Sequence, residues 1–183
     1  MKKMFLFGVV AILVLIAFVV ILGIYKFNFT NDDIYIKTGG KIDSKDATYL
    51  IDSEPVTLKD GSSELEMIPS SSSKKITRYF GNDVKGDFNN DGKEDVAFLL
   101  TQNDGGSGTF YYVVAALGND NGYQGTNAIL LGDRIAPQTT EIKEGKIIVN
   151  YADRKINEAM TVAPSVGVSR YFQVKNNQLI EIK

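Results

Sequence analysis

Asp87, Asn89, Asp91 and Asp95 stand at relative positions 1, 3, 5 and 9 of the stretch Asp87-Phe88-Asn89-Asn90-Asp91-Gly92-Lys93-Glu94-Asp95, which runs directly into Val96-Ala97-Phe98. A hard cation such as calcium takes about six to eight oxygens at about 2.3–2.6 Å, so a loop that holds it must turn several oxygen side chains inward within a few residues. The carbonyl of Lys93 falls at position 7. Gly92, at position 6, is where such a loop must turn sharply, through backbone angles that glycine adopts at little cost. Asp87, Asn89, Asp91, Lys93 and Asp95 are therefore the expected ligands of one Ca2+. Three carboxylates, an amide and a carbonyl nearly fill the shell, which makes the ion's expected role structural rather than catalytic. The plain alternative is a polar turn closed by Asx hydrogen bonds, either metal-free or filled by magnesium.

An EF-hand would place a bidentate Glu at relative position 12 and a helix on each side. Position 12 here is Phe98, inside an apolar run. The loop is thus a shorter kind that feeds a strand. It resembles the calcium loop of the FG-GAP and VCBS repeats of integrin α-chain-like β-propellers and many exported bacterial proteins. That family's pattern is G-D-x-N-x-D-G-x-x-D followed by a strand, and GDFNNDGKEDVAFLL follows it. The resemblance covers Gly86 to Leu117, with the following hairpin included. A propeller needs several blades, and one such loop occurs here, so what the resemblance implies is a local unit of calcium loop and hairpin set in a different, smaller domain. The stretches GTFYYVVAAL, GYQGTNAILLGDR, NYADR and SVGVSRYF are similar to exported bacterial domains of uncharacterised function, a likeness that supplies no activity.

Little other chemistry is open to this chain. It has no Cys and no His, which removes thiolate and imidazole nucleophile systems, the usual zinc sites, disulfides and the commonest near-neutral general base. Gly105-Gly106-Ser107-Gly108 lacks the Lys-Ser/Thr and the helix of a phosphate cradle and reads as a hairpin loop. Asp133-Arg134 and Asp153-Arg154 read as ion pairs at a sheet rim, with an anion-binding role as the alternative. Tyr111, Tyr112, Tyr123, Tyr151 and Tyr171 could form a sugar-binding surface, although tyrosine is common in strands anyway. No spacing selects an acid/base pair among Asp133, Glu141, Glu144, Asp153 and Glu158.

The elements that must position the loop fall into three parts. Met4 to Tyr25 is 22 residues long and free of charge, Asn, Gln and Pro, enough at about 1.5 Å per residue to span the roughly 30 Å apolar layer of a bilayer. Its length and the lack of a small-x-small site point to an uncleaved anchor rather than a removed signal. Lys2 and Lys3 before it, against Lys26 and then Asp32 and Asp33 after it, orient the remainder outside the cytoplasm. Residues 1–25 are thus expected to be one transmembrane helix, 26–46 a polar spacer with a short strand at Ile34 to Ile36, and 47–183 a single mainly β domain.

Within that domain, β-branched and aromatic runs recur at Thr48 to Asp52, Pro55 to Lys59, Ile76 to Asp83, Asp95 to Thr101, Thr109 to Leu117, Ala128 to Leu131, Thr139 to Lys143, Lys146 to Tyr151, Val168 to Val174 and Leu179 to Ile182. Turn signals separate several of them: Lys59-Asp60-Gly61, Asn103 to Gly106, Asn119 to Gly122, Glu144-Gly145 and Asn176-Asn177. Pro69 to Ser73 reads as a loop. The pattern predicts an antiparallel β-meander, as a sandwich or partly open barrel, with little helix. Val96 to Leu100 and Phe110 to Val114 are apolar throughout and are predicted to be the central strands, covered on both faces.

The net charge is −2, and nothing resembles the basic face a nucleic-acid partner would need. These readings converge on a membrane-anchored, extracytoplasmic, calcium-binding β domain that acts as a binding or interaction module toward a protein or glycan. The alternatives are a carboxylate-dependent hydrolase of cell-envelope polymers and a structural subunit of an envelope complex.

Overall fold

The computed structural model describes residues 42–67 and 73–182. The apolar segment 4–25, the spacer up to Lys41, the short strand expected at Ile34 to Ile36 and residues 69–72 of the serine-rich loop lie outside the described residues. Lys41–Lys183 forms one compact unit.

Twelve strands follow one another: β1 Thr48–Ile51, β2 Glu54–Thr57, β3 Ser62–Glu66, β4 Lys74–Gly86, β5 Asp95–Asn103, β6 Phe110–Asn119, β7 Gly122–Gly125, β8 Ile129–Asp133, β9 Ala136–Lys143, β10 Lys146–Asp153, β11 Val166–Lys175 and β12 Gln178–Ile182. No helix occurs among the described residues. The protein is mainly β and antiparallel, a curled half-barrel. Each of the ten runs read as strands within residues 47–183 forms one. The polar β3 and the glycine-flanked β7 (Gly122-Tyr123-Gln124-Gly125) carry no such pattern; both lie at sheet margins, where pairing to a neighbour rather than burial holds them.

Two meanders make the main sheets, one in the order β3-β4-β5-β6-β7 and the other β12-β11-β10-β9, with β1-β2 as a separate hairpin. The far edge of β6 is shared. Its C-terminal part pairs with β7 from Ala116 to Asn119, and its N-terminal part pairs with β8 from Phe110 to Val113. Thr126 fills the gap between them: its N–H donates to Ala115 O at 2.9 Å, and its hydroxyl accepts from Ala115 N at 3.1 Å.

Tight turns drive this topology. Asp52-Ser53, Asp60-Gly61, Glu144-Gly145 and Asn176-Asn177 all have positive φ at both residues, the signature of the type I′ turn whose twist matches that of antiparallel strands.

Strands β5 and β6 separate two cores. Ala97, Leu99, Val113, Ala115 and Leu117 face the second sheet, where Ile147, Val149, Tyr151, Phe172 and Leu179 meet them. Val96, Phe98, Leu100, Tyr112, Val114 and Ala116 face the other way, onto Tyr49, Ile51, Val56 and Leu58 of the first hairpin and the residue after it. Successive side chains of a strand point to opposite faces, so two strands apolar on both faces are what a three-layered arrangement demands, as their composition predicts. Asn127 ties β8 to β12 by imitating a strand neighbour: its Nδ2 donates to Leu179 O at 3.0 Å and its Oδ1 accepts from Leu179 N at 2.8 Å.

Candidate metal centre

The loop Asp87 to Glu94 joins β4 to β5 at one end of the six-stranded sheet. Gly92 has φ of 81° with open space where a Cβ would lie, so its need is conformational and not steric. Asn90 also has positive φ, at 62°. These two left-handed residues curl the backbone so that amides point into the loop.

The oxygens of the first half converge. Asp87 Oδ1 accepts from Asp91 N at 3.1 Å, and Asp87 Oδ2 accepts from Gly92 N at 2.9 Å. Asn89 Oδ1 also accepts from Asp91 N, at 3.1 Å, which sets it beside Asp87 Oδ1. Asp91 Oδ1 accepts from Lys93 N at 2.8 Å, while Asp91 Oδ2 accepts from Asn89 Nδ2 at 3.0 Å. The amide of Lys93 and then the Asn89 side chain hold the Asp91 carboxyl below the usual carboxylate range.

Asp95 stands apart. It has no solvent exposure, and each oxygen serves a backbone amide: Oδ2 accepts from Phe88 N and Oδ1 from Gly118 N, both at 2.8 Å. Burial pushes its carboxyl up. The two amide bonds work against that shift, and the charges of Asp91 and Asp87 add to it. Asp95 thus closes the loop back onto its own start, through Phe88, and locks it to the end of β6.

Four of the five expected ligand residues bear side chains with hard oxygen donors, the chemistry calcium selects. Every carboxylate oxygen has lone pairs beyond the hydrogen bonds named. A dication would also relieve the buried charge of Asp95, because the neighbouring lysines are engaged elsewhere: Lys93 Nζ with Asp120 Oδ1 at 2.7 Å and Lys85 Nζ with Glu94 Oε1 at 2.8 Å. In donor type and loop curvature the residues fit the ion. Among the described residues, however, no three acidic side chains gather as a ready metal cluster. Asp87, Asn89 and Asp91 are brought together, Asp95 is turned to the sheet, and Lys93 is placed by its amide and ammonium.

Two contacts of this region could not be seen in the local pattern. Asp95 reaches Gly118, and Lys93 reaches Asp120, both across to the β6–β7 turn. A Cβ on Gly118 would collide with the carbonyl oxygen of Glu94, so the Asp87 to Asp95 loop lies flush on that turn. Beside it an open cavity of about 470 Å³ is lined by Ile42, Asp43, Lys93, Glu94, Asp120 and Tyr123, among others.

The other candidates resolve differently. Arg134 pairs with Asp133, at 2.9 Å from Nη2 to Oδ2. Desolvation works to raise the Asp133 carboxyl, but Arg134 and the Thr109 amide outweigh it and hold the carboxyl low. Asp153 and Arg154 do not make the expected rim pair: the Arg154 guanidinium donates instead to the carbonyls of Val162 at 2.6 Å and Arg134 at 2.9 Å, closing the loop after β10. The tyrosines form no common surface, since Tyr112 and Tyr151 are buried in different cores while Tyr171 is exposed. No protein-family model, curated protein or solved structure matches the chain.

Proposed function

We propose that this chain is a membrane-tethered β domain outside the cytoplasm, stabilised by one Ca2+ in the Asp87 to Asp95 loop and serving as a binding or interaction module. The observation that carries the reading is the convergence of Asp87 and Asn89 oxygens on the amides of Asp91 and Gly92, with the Asp91 carboxyl turned onto the next amide, that of Lys93. A pocket of inward-turned oxygens on a left-handed glycine is what a short calcium loop requires before the ion arrives. The 22-residue apolar segment supports the tether, and the FG-GAP-like pattern supports the ion.

A carboxylate-dependent hydrolase fits less well. It needs one carboxyl raised by burial yet free to reach substrate. Burial raises Asp95, but both of its oxygens are occupied and it has no exposure. Glu94 and Asp120, which line the open cavity, are exposed and paired with lysines.

The test is calorimetric melting of the detergent-solubilised chain with calcium, with magnesium and with chelator, beside Asp91→Ala. With a dissociation constant near 10⁻⁴ M, as in extracellular modules, millimolar calcium adds about 1.4 kcal/mol, or a rise of about 4 °C in melting temperature. The parent rises with calcium and Asp91→Ala stays put. Equal shifts in both, or none in the parent, would remove the ion from this loop.

A further inference from the structure

We propose that the β10–β11 loop, Arg154 to Ser165, is a second membrane contact, whose exposed apolar tip, led by Ile156, dips into the lipid surface that carries the tether. The proposal rests on the membrane-tether reading above and is independent of the cation.

The two ends of the half-barrel differ in chemistry. The end that holds the start of β5 and the end of β6 is closed by the loop Asp87 to Glu94 and by the turns at Asp120-Asn121, Glu144-Gly145 and Asn176-Asn177. None of these connections exposes a large apolar side chain. At the opposite end the β10–β11 loop exposes Ile156, Met160 and Val162, and Val166 follows them at the start of β11. Ile156 is 93% exposed, so nearly the whole of a large apolar side chain stands in water. Contiguous exposed apolar groups of this kind mark contacts with a protein or a membrane.

The loop's own bonds hold these side chains outward. Ser165 N donates to Asp153 O at 2.9 Å and closes the loop at its base, while Glu158 N donates to Lys155 O at 3.0 Å and Val162 N to Ala159 O at 2.9 Å within it. The Arg154 guanidinium clamps the returning strand to the body of the domain through Val162 O at 2.6 Å and Arg134 O at 2.9 Å. Lys155 N donates to Glu158 Oε2 at 3.1 Å, which turns that carboxylate onto the loop's backbone. Lys155 itself is exposed beside Ile156, a cation placed for the phosphates of lipid headgroups.

The bilayer suits this tip better than a protein does. A side chain so exposed projects, and a protein would need a pocket cut to match it, whereas fluid lipid conforms. One short apolar tip holds lipid only marginally by itself, as a single acyl chain does, and stable attachment takes two signals. The apolar segment Met4 to Tyr25 supplies the first. Tethering also makes the loop's contact an intramolecular event, at an effective concentration set by the linker. The loop is within the linker's reach. Arg154 bonds to Arg134, which follows the Asp133 paired with Phe110 at the start of β6, whereas Ile42, where the described domain begins, bridges to Gly122 beyond its end. Strand β6 is 10 residues long, about 34 Å, and the 16 residues from Lys26 to Lys41 can extend to about 55 Å.

The chain has no cysteine, so Thr161→Cys, at an exposed position of the loop, accepts a single fluorophore while Ile156, Met160 and Val162 stay in place. Lys175→Cys, exposed at the polar end of β11, is the reference. The full chain is reconstituted in vesicles of phosphatidylcholine and phosphatidylglycerol, with and without lipids that carry a nitroxide in the upper acyl chain. Expected is quenching of the label at 161 by the nitroxide lipids, none at 175, and loss of the quenching when Ile156→Asp is added, a change on a side chain too exposed to affect folding. An unquenched label at 161 in a chain that floats with the vesicles overturns the lipid contact and assigns the tip to a protein partner. Quenching that persists with Ile156→Asp, or that is equal at 175, overturns it too. A chain stripped from the vesicles by alkaline carbonate overturns the tether and this proposal with it.

Discussion

Replacing Asp95 with alanine removes the acceptor of two backbone amides at once, Phe88 N and Gly118 N, each bonded at 2.8 Å. Asp95, Phe88 and Gly118 are all buried, so water does not readily replace the lost oxygens. A buried donor left without a partner costs about 1–3 kcal/mol, hence about 2–6 kcal/mol for the pair. Part of this is returned, because burial and the nearby Asp91 and Asp87 charges already disfavour an ionised Asp95. The net loss is then about 2–4 kcal/mol, a large fraction of the roughly 5–15 kcal/mol that holds a typical domain together. Asp95→Asn keeps one carbonyl oxygen and sets an N–H₂ against the other amide, so it should lose about half as much. The assay is urea unfolding of the full chain in mild detergent with chelator throughout, so that no cation contributes to the difference. A lowered midpoint with an unchanged slope is the expected form. A loss below about 0.5 kcal/mol for Asp95→Ala would place it among ordinary surface substitutions and refute the claim that Asp95 locks the loop to β6.

Phe98 has no exposure and sits edge-on to Tyr49 at 5.6 Å and tilted against Tyr79 at 5.3 Å, so Phe98→Ala should destabilise by about 3–5 kcal/mol in the same urea assay; a loss under about 1 kcal/mol would mean that the core beneath the first hairpin is poorly packed. The hydrogen bonds from Arg170 to Glu181, at 2.6 and 2.8 Å, hold the Glu181 carboxyl below its ordinary 4.5. A depressed carboxyl contributes stability above its unfolded value and loses it as pH falls through the folded one. Glu181→Gln should therefore flatten the acid limb of a melting-temperature profile taken below about pH 5, at a neutral-pH cost under about 1 kcal/mol; an unchanged acid limb would mean that the pair carries no linkage.

The strands were legible wherever a run was apolar on at least one face, because burial is what makes a strand's composition distinctive. Lys146 to Ala152 alternates partly buried and buried residues, and the same alternation is plain in Ile147, Val149 and Tyr151. Ser62–Glu66 buries nothing fully. It is a strand because β4 offers it five partners from Arg78 to Lys74, a fact about the neighbour and not about its own residues. The rim pair expected at Asp153 and Arg154 failed for a related reason: Arg154 sits where a loop returns, and the carbonyls of Val162 and Arg134 are better placed to take its guanidinium than the preceding carboxylate.

The Asp87 to Asp95 loop divides along the same line. Asp87, Asn89 and Asp91 lie within five residues, so local backbone curvature alone brings their oxygens together, and the spacing with Gly92 says as much. The grip on the β6–β7 turn depends instead on register. Strand β5 pairs Val96 with Ala116 and Gln102 with Phe110, which carries Asp95 to the end of β6 and lets it meet Gly118. A strand apolar on one face alone would have fixed that register, since a slip of one residue turns its core side chains to solvent. Strands β5 and β6 are apolar on both faces, so hydrophobic pattern places little constraint on the slip, and the Gly105-Gly106-Ser107-Gly108 connection adds slack. The feature that identified these strands as central is thus the one that hid which residue of β6 meets Asp95. The Asp95 carboxylate supplies what the pattern lacks: its bond to Gly118 is made in this register, and a one-residue slip of β5 on β6 would leave that buried amide and one carboxylate oxygen without a partner, while the local bond to Phe88 would stay.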